Sequence, residues 1–353
     1  MQFIVALLLA LLAIAIGRVY TRGRRVMIAR ELVATHTSED IAKLRAMALA
    51  HPKSCRFYLA VGLNNLATRQ GLMGQHADGL LSTLEATAIM RELWQGNPNL
   101  EGYLAQFLAN LSAKHHLVGE RELALAAARE SVEIRRKMAQ ANSDASEHPE
   151  GCDFLPDLAF SLQNLSAAQE GEEALASSTE AVRVIRPLVE KNPSVLLPIL
   201  AGSLGNLGTA QFALNQLSES VVTTSEAVAI RRQLAATDPA AMRPLLAGLL
   251  STLGAAQSEL GEHEQSVASL SEALQILRGL VKEQPDAQLP VLAGCLLNLA
   301  ATYRKQGRRT DALAPAREAV SLFGSLAEKY PLAHAALLRE AVALLRGLLQ
   351  EPS

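Results

Sequence analysis

Residues 239–284 read PAAMRPLLAGLLSTLGAAQSELGEHEQSVASLSEALQILRGLVKEQ, and residues 285–330 read PDAQLPVLAGCLLNLAATYRKQGRRTDALAPAREAVSLFGSLAEKY. Laid one above the other, both stretches open on proline, carry glycine at the same central place (Gly261, Gly307) and restart on Glu-Ala (Glu272, Glu318). Proline keeps the same time through the chain, at Pro52, Pro98, Pro149, Pro193, Pro239, Pro285 and Pro331. The spacings are 46, 51 and 44 residues, then 46 three times. A fixed period of this length marks a stacked repeat architecture, because one such unit cannot bury its apolar stripe alone.

Each unit divides into two helical halves. The first holds an Asn-Leu-small step at Asn65, Asn110, Asn164, Asn206 and Asn298, varied to Thr252-Leu253-Gly254 in the fifth unit. A leucine three residues before the step's own (Leu63, Leu108, Leu162, Leu204, Leu250, Leu296) completes a stripe of helical period. The small residue lets the two helices of a unit approach closely. Seven residues later comes Gly74, Gly119, Asn215, Gly261 or Gly307, types that accept the left-handed conformation of a helix C-cap. In the third unit Gly171 arrives early, so its loop is expected to be about one turn shorter.

The second half repeats Glu-small-apolar-x-apolar-x-Arg-x-apolar from Glu85, Glu130, Glu180, Glu226 and Glu272; the copy from Glu318 lacks the arginine. An earlier half-unit runs from Glu39 behind Thr37 and Ser38, which suit an N-cap. Pro331 opens one closing helix over 333–349. The recurring arginines (Arg45, Arg91, Arg136, Arg186, Arg232, Arg278) and glutamates are expected to form inter-repeat ion pairs or a solvated convex face.

Composition agrees with helix. The 353 residues are 49% hydrophobic and 4% aromatic, rich in Leu and Ala. A net charge of −2 leaves no basic face for nucleic acid. Cys55, Cys152 and Cys295 are scattered and read as small buried residues in a reducing compartment. Residues 1–20 differ from the rest: the apolar run Phe3–Ile16 precedes Arg18, Arg22, Arg24 and Arg25. Counting from Met1 to Gly17, a helix there spans about 25 Å at ~1.5 Å per residue, close to a bilayer's hydrocarbon core. The trailing arginines favour a membrane anchor with the body of the protein in the cytoplasm. A cap helix on the array and a cleaved signal peptide are the other readings of this segment. The expected layout is an anchor over 1–20, a basic linker over 21–37 and the repeat array over 38–353.

The repeats resemble the tetratricopeptide family. Asn206-Leu207-Gly208, Asn215 and Ala227, and more closely Leu253-Gly254, Gly261 and Ala273, match its Leu-Gly step, turn glycine and second-helix alanine in order and spacing. The longer unit, the NNLA of residues 64–67 and the EAVAIRR of residues 226–232 are most similar to kinesin-light-chain-type arrays. The chain departs from the family where aromatics are common, with Gln211 and Thr224 in their place. The resemblance implies a right-handed superhelical solenoid of antiparallel helix pairs, with first helices lining a concave groove. About six units, a half-unit and a closing helix are expected.

Little in the sequence points to catalysis. His115-His116 face different ways on a helix and read as surface residues near a turn, while Gly202–Gly208 reads as close helix packing. No Ser/His/Asp, HExxH or paired CxxC arrangement occurs, and no cofactor or metal is expected. The candidate contacts are Asn64, Asn65, Asn110, Asn164, Asn206 and Asn298, with Asn64 expected to point most squarely into the groove. In arrays of the resembled kind such amides are implied in holding extended peptide backbone; an asparagine ladder between adjacent first helices is the competing reading. The expectation for function is a membrane-tethered scaffold, not an enzyme, holding a peptide or helix of a partner protein. A self-assembling array and an accessory subunit of a separately encoded enzyme are the alternatives.

Overall fold

A computed structural model of the chain describes residues 27–29, 31–33, 37–144 and 154–350. The proposed anchor, most of the linker and Pro149 lie outside the described residues. Those described are predominantly helical, joined by short turns, and contain no strand.

The array opens with helix α1 (Ser38–Ala50), capped by Thr37, whose hydroxyl oxygen accepts from the Asp40 amide at 3.1 Å. Helix pairs follow in order: α2 (Pro52–Leu72) with α3 (His76–Gly96), α4 (Glu101–Val118) with α5 (Arg121–Asp144), and α6 (Leu155–Ala168) with α7 (Gly171–Ile185). Then come α8 (Pro193–Ala213) with α9 (Leu217–Ala235), α10 (Pro239–Leu260) with α11 (His263–Glu283), and α12 (Pro285–Lys305) with α13 (Arg309–Lys329). Helix α14 (Pro331–Gln350) closes the array. This is the half-unit, six pairs and closing helix that the prolines and glycines spell out.

The punctuation works as its chemistry requires. Pro52, Pro193, Pro239 and Pro285 each start a helix, where a missing N–H costs nothing. The residue before each is non-helical, with φ between −134° and −151° and ψ between 63° and 80°, because the proline ring disfavours the helical conformation there. The turns between paired helices all pass through a positive-φ residue: Gly74, Gly119, Gly171, Asn215 (φ 60°), Gly261 and Gly307. In the third unit Pro187 cannot donate within a helix, and α7 gives way to a 3-10 stretch over Arg186–Lys191.

Leu63, Leu108, Leu162, Leu204, Leu250 and Leu296 are each at most 1% exposed. Opposite them the small residue of every second helix (Ala86, Ser131, Ala181, Ala227, Ala273, Ala319) is fully buried. The step leucine is less uniform. Leu253 is buried, whereas Leu207, expected in the core, is only half-buried. Gly205 explains part of the packing nearby: a Cβ there would stand 2.6 Å from the Leu249 side chain, so the glycines of 202–208 serve close approach.

Successive first helices touch one another (α4 with α6, α6 with α8, α10 with α12). Among the described residues successive second helices stand farther apart and are bridged by long side chains. Arg45 reaches Glu85 (2.5 Å), Arg91 Glu130, Arg136 Glu180 (2.6 Å), Arg186 Glu226 (2.7 Å), Arg232 Glu272 (2.5 Å) and Arg278 Glu318 (3.2 Å). Tight first helices and spread second helices bend the stack, placing the first helices inside. The bend carries the chain round until α14 returns to α4.

Candidate functional site

The inner face is built by α2, α4, α6, α8, α10 and α12, and the recurring asparagines lie along it in unequal states. Asn110 donates to the Asn64 side-chain oxygen at 2.9 Å, from α4 to α2. Asn206 donates to the Gln163 carbonyl at 2.7 Å and the Ser166 hydroxyl at 3.1 Å, from α8 to α6. Asn298 donates to the Ser251 hydroxyl at 3.3 Å, from α12 to α10. Each of these three amides ties a first helix to the one before it. Asn164 instead turns back on its own helix, donating to the Phe160 carbonyl at 3.2 Å. Asn64 does not face the groove as expected: it is 6% exposed and its side-chain oxygen serves Asn110. Asn65, one residue on, is half-buried at the inner surface.

Aromatic rings stand two helical turns before the asparagines of the first two units. Phe57 packs edge-on against Tyr58 and Tyr103, with ring centroids 5.5 and 5.1 Å apart. Tyr58 precedes Asn65, and Tyr103 precedes Asn110, by seven residues, which returns each to the same helix face. Tyr103 is 44% exposed. Sequence reasoning missed this cluster, although a Tyr-x6-Asn pattern repeated in neighbouring units was there to be read. Lys114, one turn beyond Asn110, is half-buried, and burial lowers its ammonium below the usual lysine range.

Other polar groups are committed to the frame. His115, expected at the surface, is buried, with Nδ1 2.6 Å from a Glu120 oxygen across the turn; adjacent His116 is exposed. Arg135 and Arg231 occupy the core position that Met90, Ile185, Leu277 and Phe323 fill in other units. Arg135 pairs with Asp157 at 2.9 Å, and Arg231 donates to the Pro198 carbonyl at 3.0 Å. Burial lowers both guanidinium groups from their ordinary value. Cys55 and Cys295 are buried, and burial pushes Cys295 up to about 12, so its thiolate is scarce at neutral pH. Among the described residues no three His, Cys, Asp or Glu side chains gather as a metal site.

Among the described residues one helix, α8, is long and apolar enough by composition to cross a membrane. It is packed within the array between α7 and α9, and Leu196, Leu200 and Leu204 are in the core.

No protein-family model matches the chain, and no curated protein matches it. Among solved structures it is similar to a Rap protein complexed with competence and sporulation factor: 14% identity, 89% of this chain, 81% of that one, TM-score 0.50. It is similar also to the apo form of RapI, at 12% identity over 93% of this chain and 87% of that one, with a TM-score of 0.50. A putative kinesin light chain from Podosopora anserina, with nearly identical TPR-like repeats, is 20% identical over 65% of this chain and 98% of that one, TM-score 0.41. At such identities the likeness speaks to fold alone. The fold is an all-helical solenoid of tetratricopeptide-like repeats.

Proposed function

We propose that this chain is a protein-interaction scaffold whose inner face holds a segment of a partner protein, with residues 1–20 tethering the array to the cytoplasmic side of a membrane. The inner aromatic cluster of Phe57, Tyr58 and Tyr103 carries the reading. Tyrosine brings a large apolar contact with a polar tip at small entropic cost, and such residues anchor interfaces. Asn65 on the same face offers both a donor and an acceptor to peptide backbone. By contrast the outer polar residues are largely spent on the Arg–Glu ladder, and Asn110, Asn206 and Asn298 on bonds between first helices. The groove contacts therefore narrow to the first two units. The similar Rap structure with competence and sporulation factor supports the idea that this fold can seat a second molecule.

Affinity co-purification from native membranes tests the proposal. The wild type is compared with a Tyr58→Ala, Asn65→Ala, Tyr103→Ala variant whose helicity and melting are measured alongside. Loss of a stoichiometric partner with unchanged melting supports the groove. Retention of every partner by the folded variant refutes it.

A further inference from the structure

The array meets itself along a seam. The turn between α2 and α3 abuts the first turn of α12, and the turn between α4 and α5 abuts the first turn of α14. The two contacts are equivalent, one repeat apart. A Cβ on Gly74 would stand 2.5 Å from the Ala287 amide nitrogen and the Asp286 carbonyl carbon. A Cβ on Gly119 would stand 2.7 Å from the Ala333 nitrogen and 2.8 Å from the Leu332 carbonyl carbon. These are backbone atoms of helix starts and cannot yield as a flexible side chain would. Gly261 and Gly307 occupy the same turn position in later units with equally positive φ, yet a Cβ on either meets open space. At the first two turns, then, glycine answers two demands: the left-handed conformation and the closeness of another part of the array.

Two histidines line this seam. His76, the first residue of α3, is 8% exposed; its ring centroid lies 5.8 Å from that of Tyr330, and its Nδ1 has no hydrogen-bond partner. His334 of α14 likewise has a buried Nδ1 without a partner, and its ring lies 6.4 Å from Phe323. Among the described residues the nearby anions are each paired, including Asp286, which by itself favours a protonated His76. Asp286 of α12 pairs with Lys329 of α13 at 3.0 Å, Glu120 is held by His115, and Glu170 is paired with Arg121. Lys114 of α4 and Lys329 face His76; His116 and Arg121 border, with His334, a cavity of ≈370 Å³ between the α4–α5 and α6–α7 turns and α14. Asp78, two residues beyond His76, is exposed.

We propose that this seam is a clasp that closes the superhelix laterally, and that protonation of His76 and His334 opens it. With the clasp shut, the inner face cannot be entered through the seam. Burial, with Lys114, Lys329 and His334 adding and Asp286 opposing, holds His76 below the ordinary imidazole value, and burial does the same for His334. A closed array thus binds fewer protons at these rings than an open one. Closure is at full strength above the ordinary histidine value of about 6.5 and weakens progressively as pH falls below it.

Spin labels at Asp78→Cys and Glu283→Cys, exposed positions on either side of the seam, report its width in a Cys152→Ser background of the full chain. Pulsed dipolar spectroscopy is run at pH 7.5 and pH 5, with helicity followed by circular dichroism. The wild type should give one short distance at pH 7.5 that is replaced by longer, broader ones at pH 5. Gly74→Asn with Gly119→Asn should be open at both pH values with helicity kept, since Asn215 shows that asparagine adopts this turn conformation. Gly261→Asn with Gly307→Asn should behave as wild type. His76→Gln with His334→Gln should stay closed at pH 5. A wild-type distance that does not change with pH overturns the proposal, as does opening of the double His→Gln variant at pH 5 or equal opening by the Gly261/Gly307 control.

Discussion

Arg231→Leu should stabilise the protein, although it removes a hydrogen bond. Arg231 is 6% exposed and sits where Ile185 and Leu277 pack in the units on either side. Its guanidinium bonds the Pro198 carbonyl at 3.0 Å and lies 3.2 Å from the Met242 sulfur, while Nε finds no partner. Replacing a buried charged group by a well-packed apolar one of similar volume is worth about 1–4 kcal/mol. The charge-assisted bond lost in exchange is worth about 1.5–3 kcal/mol. Pro198 lies inside α8, so its carbonyl keeps an intrahelical acceptor role and is not stranded. The replacement figure is a net one that already contains the loss of such a bond, so the expectation is a gain toward its lower end, about 1–2 kcal/mol. A melting curve of the full array reads this as a rise of a few degrees, at about 2–4 °C per kcal/mol for domains of some 150–250 residues. Arg232→Leu, one residue away, removes only the exposed ion pair with Glu272 and should shift stability by less than about 1 kcal/mol. A melting point for Arg231→Leu at or below that of Arg232→Leu would refute the reasoning, because it would mean the buried cation is a net support of the fold.

The remaining predictions concern the frame and the membrane. Asn110→Ala strands the buried Asn64 amide and should cost about 1–3 kcal/mol in urea denaturation, whereas Asn65→Ala, at the inner surface, should leave the midpoint in place. Leu250→Ala should cost about 2–5 kcal/mol, and Leu207→Ala, only half-buried, clearly less; equal losses would contradict the burial pattern. Deleting residues 1–20 should move the protein from the carbonate-resistant membrane fraction to the soluble one with its helicity intact; an unchanged distribution would remove the anchor from the account.

The features legible in the sequence were those fixed within one repeat. Pro239 and Gly261 set the ends of α10 by their own backbone chemistry, and Leu250 repeats because every unit buries the same stripe. The Arg–Glu ladder was legible because residues one repeat apart on stacked helices must face each other. What escaped depends on contacts beyond nearest neighbours or on small rotations about a helix. The clasp at Gly74 and Gly119 arises from the accumulated bend of the stack, which no local pattern records. Asn64 and Asn65 differ by one helical step of about 100°, enough to bury one and leave the other at the surface. His115 and His116 divide in the same way. Arg231 went unread beside the recurring Arg232, because nothing within one repeat marks a buried arginine at a position that other units fill with Ile185 or Leu277. Tyr58 and Tyr103 were passed over because the aromatics were sought at the resembled family's positions, not beside the asparagines.

The central claim is that a partner lies against the inner face of the first two units. Site-specific photo-cross-linking in intact cells tests it most directly, with the cross-linking residue placed at Tyr103 on the inner face or at Gln233, exposed on the outer helix α9. The account predicts one discrete cross-linked protein from Tyr103, lost when Tyr58→Ala and Asn65→Ala are added, and none from Gln233. A cross-link from Gln233 alone, or an equal pattern from both positions, would contradict it.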